Sequence, residues 1–166
     1  RNSADAIATT QQILAAIPQV KIPNYAFRNN GDLTFSDVSK SWGIQTPSFS
    51  NGAVYVDLDN DGDLDLVVNN INEAASVYKN TSRDKDKNNM HYLNIKFSGD
   101  AKNRNGIGVL ADIYYNKGKH QFWENTPYRG YLSTIQDIAH FGLDTITVID
   151  SVVIRWPNLK KQIIQN

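Results

Sequence analysis

The chain has 166 residues, enough for one domain or two small ones. Its 17 basic side chains balance 17 acidic ones, so there is no broad positive footprint for nucleic acid. It has no cysteine, which excludes disulfides and thiolate chemistry and leaves secretion open. No apolar run approaches the ~18 residues of a transmembrane segment. No signal peptide is visible, and the first residue is Arg1, which suggests a processed product or a C-terminal fragment of something longer.

Residues 3–17 read as the one helix. Ser3 can cap it, Ala4 to Ala8 start it, and Ile7, Leu14 and Ile17 fall near one face. Such a stripe is expected to pack against the rest of the chain. Pro18 stops the helix. From residue 22 the character changes. Pro23 to Phe35 reads as strand, Asn30-Gly31 turn, strand, continued by Ser36-Asp37-Val38 and closed by Trp42-Gly43-Ile44.

The next segment, Asp57-Leu58-Asp59-Asn60-Asp61-Gly62-Asp63-Leu64-Asp65, carries five aspartates on alternate positions. Strand geometry would point them all to one face, where they repel. Wrapped around a cation, the same spacing becomes favourable. Ca²⁺ takes ~6–8 oxygens at roughly 2.3–2.6 Å, from carboxylates, backbone carbonyls and water. In that arrangement Asp57, Asp59 and Asp61 give side-chain oxygens, Gly62 makes the bend, Asp63 gives its carbonyl and Asp65 closes the shell. The loop is not an EF-hand. The position that would hold the closing glutamate is Val68, and the flanks, Gly52 to Val56 and Leu64 to Val68, read as strands rather than helices.

With its flanks, residues 49–80, this unit resembles an FG-GAP or VCBS-type repeat, whose copies form the blades of extracellular β-propellers. The phrase Asn24-Tyr25-x-Phe27-Arg28-Asn29-Asn30-Gly31, with Phe35-x-Asp37-Val38, is also similar to those repeats. Val77-Tyr78-Lys79-Asn80 resembles the same strand one blade later. One blade cannot close a propeller, which needs ~4–8. The resemblance therefore implies a longer protein.

Arg83 to Asn89 alternates in charge without an apolar residue and reads as a solvated linker. Beyond it, Leu93, Ile95 and Phe97 alternate with polar residues as a half-buried strand. Residues 109–115, 120–124, 146–149, 151–156 and 162–164 read as further strands, and short strands at this spacing suggest a sandwich or barrel. Residues 91–163 resemble the ASPIC/UnbV domain of bacterial surface proteins and of the animal cartilage acidic proteins. The matching phrases are Asn105-Gly106-Ile107-Gly108, Arg129-Gly130-Tyr131-Leu132-Ser133, His140-Phe141-Gly142-Leu143 and Asp150 to Pro157. Asp144 and Asn158-Leu159-Lys160 depart from that pattern and imply altered loops.

The expected fold is all-β with one N-terminal helix: a propeller blade with a calcium loop, followed by a β-sandwich-like ASPIC/UnbV domain. The expected divisions are 1–21, 22–82, a linker at 83–90, and 91–166. The metal ligands are expected at Asp57, Asp59, Asp61, Asp63 and Asp65, with Ca²⁺ as the cofactor. Arg129, Tyr131 and Trp42 are candidate ligand-binding residues. Trp123 and Trp156 read as packing residues. His140, Ser133 and Asp137 form no recognisable nucleophile motif. Three functions fit: a non-catalytic calcium-binding extracellular module for adhesion or for protein or glycan binding; part of a larger carbohydrate-active enzyme whose centre lies outside this chain; or a structural cap closing a longer propeller. The resemblance places the protein at the bacterial cell surface or in secretion.

Overall fold

The computed structural model describes residues 3–86 and 88–166, with the side chains of 3–8 outside the described set. The expected Ser3 cap and the Ile7 contact therefore lie outside the described residues. Two compact units are present, residues 1–49 and 50–166.

The first unit opens with helix α1, Ser3–Ala16. The apolar side chains Ile13 and Leu14 of this helix, and Ile17 just beyond its end, are all more than half exposed, so the expected packing stripe is not buried at these positions. The reason is visible in the helix itself: these residues are the few apolar ones among Thr9, Thr10, Gln11 and Gln12, too sparse to form a broad face. A short hairpin follows, with β1 at Phe27–Asn29 and β2 at Phe35–Asp37. Its tip is longer than the two-residue turn an Asn-Gly pair favours. Gly31 and Leu33 take positive φ, and Asn30 N–H donates to the Thr34 carbonyl. Asp32 Oδ1 accepts from both the N–H and the hydroxyl of Thr34, which stabilises the wider loop.

The second unit contains the remaining strands. β3, Ser50–Val56, β4, Asp65–Asn70, and β5, Ser76–Tyr78, form a three-stranded antiparallel sheet in that order. The aspartate segment is the connection between β3 and β4. A four-residue helix α2, Ser82–Lys85, leads to β6 at His91–Ile95. Then come β7 at Leu110–Tyr115, β8 at Lys119–Glu124, β9 at Ala139–Asp144, β10 at Ile149–Arg155 and β11 at Lys161–Gln165. They make a four-stranded sheet ordered β11-β10-β7-β8 and a separate pair β6-β9.

Both sheets are open, and their apolar residues join one core. Ala111, Ile113 and Tyr115 of β7 and Val152 and Ile154 of β10 meet Ala139, Phe141 and Leu143 of β9, with Phe97 and Val109 beside them. Trp123 and Trp156 pack against this cluster, as expected of large aromatics. The fold is all-β with one longer helix.

Two details differ from the sequence reading. The expected strands 146–149 and 151–156 are replaced by one strand, β10, which starts only at Ile149, ends at Arg155 and has a register shift between Ile149 and Ser151. The segment before it is used in a turn: Asp144 adopts φ 51° and Ile146 N–H donates to the Leu143 carbonyl at 3.0 Å. β9 itself has the alternation of a half-buried strand, with Ala139, Phe141 and Leu143 inward. Among the described residues no helix is long and apolar enough to cross a membrane.

Candidate metal centre

The β3–β4 connection bends because Asn60 and Gly62 take left-handed backbone angles, φ 58° and 90°. Glycine is needed at 62 for a second reason. A Cβ there would run into the ring of Tyr92 and the guanidinium of Arg83. The bend brings carboxylate oxygens of Asp57, Asp59 and Asp61 within 4.8 Å of one another. Two oxygens on opposite sides of a Ca²⁺ ion, each at ~2.4 Å, stand about 4.8 Å apart, so the spacing suits that ion.

The five aspartates do not share one environment. Asp57 is half-buried and accepts the backbone N–H of Asp61 at 3.1 Å and of Gly62 at 3.0 Å. Asp61 Oδ1 accepts the N–H of Asp63 at 2.8 Å. Its Oδ2 is buried without a hydrogen-bond partner. Asp59 is exposed and pairs with Lys79 Nζ at 2.6 Å. Asp63 and Asp65 are buried, and their side chains serve the backbone. Asp63 Oδ2 takes the N–H of Arg83 at 2.7 Å, while Asp65 takes those of Leu58 at 3.1 Å and Asn80 at 2.8 Å. The side chains gathered as a metal-sized group are therefore Asp57, Asp59 and Asp61. Asp63 and Asp65 tie the loop to the segments that follow β5.

The charge of the cluster is partly met from within the chain. Lys79 Nζ also stands 3.7 Å from Asp61 Oδ2 and 3.6 Å from Asp84. Its hydrogen bond to Asp59 holds the ammonium well above the usual lysine range, and the same bond holds the Asp59 carboxyl below its usual one. The three carboxylates together exceed what one lysine neutralises. With the Asp61 Oδ2 that makes no hydrogen bond, this leaves a donor set of hard oxygens that fits a divalent cation. When bound, the ion would supply charge neutralisation and a cross-link between the ends of β3 and β4.

Sequence reasoning missed the loop's supports. Arg83, expected in a solvated connector, is half-buried; its Nη1 donates to the Asp61 carbonyl at 2.5 Å and its guanidinium lies 5.1 Å from the Tyr92 ring. Tyr92 stacks in turn on His140 at 5.5 Å between ring centroids. Burial pushes the His140 imidazole below its ordinary value, and the nearby charges of Asp57 and Asp63 pull it part of the way back. The only sequence signal for Arg83 was an arginine closely following the acidic loop and strand β5.

The other candidates lie elsewhere. Arg129 makes four donations: Nε to the Tyr55 hydroxyl, Nη1 to the carbonyls of Thr126 and Tyr128, and Nη2 to that of Glu124. It also lies 5.2 Å from the Trp123 ring. This is a brace between the loop after β8 and β3. Tyr131 and Trp42 are both strongly exposed, at 70% and 62%. Ser133, Asp137 and His140 each bond other partners: Ser133 the Tyr131 carbonyl and Ala53 N–H, Asp137 the Asn105 amide, His140 the Asn94 amide. They make no nucleophile triad.

Comparison with known proteins gives matches to two families. Residues 13–68 match the FG-GAP-like repeat family, and residues 99–166 match the ASPIC and UnbV family. The chain is similar to cartilage acidic protein 1 of Homo sapiens, 31% identical over 108 residues, which are 64% of this chain and 16% of that protein. It is also similar to cartilage acidic protein 1 of Xenopus tropicalis, 28% identical over 109 residues, 65% of this chain and 16% of the relative. The chain thus spans only about a sixth of the length of these curated relatives. The two family matches lie in tandem along the chain, the FG-GAP-like repeat first and the ASPIC and UnbV match after it.

Proposed function

We propose that this chain is a non-catalytic, calcium-binding extracellular module for adhesion or for protein or glycan binding, in which the ion is structural. The observation that carries the reading is the convergence of Asp57, Asp59 and Asp61 within 4.8 Å, with a buried Asp61 oxygen that has no hydrogen-bond partner. An ion there relieves the repulsion of three carboxylates and fastens the β3–β4 bend. The similarity to FG-GAP-like repeats and to cartilage acidic protein 1 supports an extracellular setting. Extracellular calcium sites have affinities of ~10⁻⁴–10⁻³ M. Calcium at about 100 times its Kd stabilises by ~2.7 kcal/mol, equivalent to roughly 5–10 °C in melting temperature for a chain of this size.

The test is thermal unfolding in millimolar calcium and in chelator. The wild type should melt higher in calcium, and Asp59→Ala should melt lower and lose the calcium-dependent rise. Equal melting temperatures for the wild type in both buffers would overturn the structural role.

A second reading, a structural cap that closes a longer propeller, is favoured by the bare aromatic residues of β1 and β2. Phe27 and Phe35 are 60% and 63% exposed. On that reading this chain binds an apolar dye strongly, and a longer chain carrying further repeats binds far less of it.

A further inference from the structure

We propose that the cavity beside the β10–β11 turn binds an anionic oligosaccharide, one bearing uronate carboxylates or sulfate esters. This deepens the glycan-binding part of the preceding reading and involves residues remote in sequence from the acidic loop. The cavity has a volume of about 550 Å³, within the usual range for small-ligand sites, ~300–1,000 Å³.

Its chemistry is lopsided. The lining holds Lys102, Lys160 and Lys161 against one acid, Asp100. The three lysines are exposed, and none makes an ion pair among the described residues. Asp100 Oδ1 is already committed to the backbone N–H groups of Lys102 and Asn103, at 3.0 and 3.2 Å. The amides present their nitrogens. Gln162 Oε1 accepts the indole N–H of Trp156 at 2.8 Å, and Asn158 Oδ1 accepts the N–H of Lys160 at 3.1 Å. Each keeps its NH₂ group free to donate. The wall thus sets three lysine cations and two amide NH₂ groups against one carboxylate, a net positive lining that complements carboxylate or sulfate oxygens.

Trp156 selects sugar among anions. Its half-buried ring is fixed on one side by Phe97, 6.4 Å away and edge-on, and by the Gln162 hydrogen bond. A fixed indole beside charged donors offers an apolar surface for the C–H face of a pyranose while the cations hold its acidic groups. A nucleic acid is disfavoured by the zero net charge and by the single aromatic residue in the lining.

The experiment uses the full chain and three probes of equal length: a heparin octasaccharide, an octagalacturonate and neutral maltooctaose. Binding is read by calorimetry and by the indole N–H resonance of Trp156. The wild type should bind one or both anionic probes, weaken as sodium chloride rises from 50 to 500 mM, and ignore the neutral one. Heparin alone binding identifies sulfate as the recognised group; galacturonate binding identifies the carboxylate. The double variant Lys102→Gln, Lys160→Gln should lose at least tenfold in affinity with an unchanged melting temperature. Trp156→Phe should lose several-fold. The proposal is overturned by no shift of the Trp156 resonance at millimolar anionic probe, by wild-type affinity in the double variant, or by a polyglutamate peptide binding as tightly as the oligosaccharides. Melting in calcium and chelator, run on the same samples, reads the acidic-loop proposal separately.

Discussion

Gly62 does two things at once. Its φ of 90° suits glycine, and the space where a Cβ would stand is filled by Tyr92 and Arg83. Gly62→Ala should therefore cost about 1–3 kcal/mol from backbone strain alone, with a further loss as the Arg83–Tyr92 contact is pushed apart. Chemical denaturation in chelator measures this without any contribution from metal. Lys79 has the opposite character, since its ammonium lies against Asp59 in the place of some of the charge a cation would bring. Lys79→Gln should lower the melting temperature in chelator, where the carboxylates lose their internal counter-charge. It should also tighten calcium binding, which widens the gap between the calcium and chelator curves. Identical gaps for wild type and variant would mean that lysine and ion do not share the site.

At the scale of elements, β9 joins the core to the loop. Phe141 is 2% exposed and faces the cluster, while its neighbour His140 faces Tyr92. Phe141→Ala should cost ~3–5 kcal/mol by leaving a cavity, measured by denaturant unfolding. His140 gives a pH signature. Its folded pKa lies below the ordinary 6.5, so the unfolded chain takes up a proton that the folded imidazole resists. The stability this provides is complete above about 6.5 and is lost as pH falls through the depressed folded value. The wild type should lose more melting temperature than His140→Gln between pH 7 and 5; parallel losses would remove His140 from the account. β9 was harder to recognise as a strand because Gly142 interrupts its apolar pattern and Asp144 ends it in a left-handed turn.

At the scale of the molecule, the two units differ in what they bury. Residues 50–166 hold the whole apolar cluster shared by the four-stranded sheet and the β6-β9 pair. Residues 1–49 bury Ile44 as their one hydrophobic side chain among the described residues, beside Ser39 and Ser48. A chain trimmed to 50–166 should retain cooperative unfolding with a melting temperature close to that of the full chain. The piece 1–49 alone should show no cooperative transition by circular dichroism. Composition marks a break at 83–90, yet contacts group the acidic hairpin with the later sheets. Arg83, in that break, reaches back to the Asp61 carbonyl and forward to Tyr92.

Local chemistry was legible from the chain alone. Alternating aspartates around a glycine, an Asn-Gly tip between aromatic strands and period-two runs each constrain the backbone within a few residues, so the hairpins and the acidic loop follow from spacing. Tertiary structure decided what distant residues do to one another. It paired β6 with β9, placed β7 between β10 and β8, and gave Asp63 and Asp65 to backbone amides while leaving Asp57, Asp59 and Asp61 together. Five carboxylates look alike in sequence. Which of them meets an N–H and which meets another carboxylate depends on segments that only folding brings alongside.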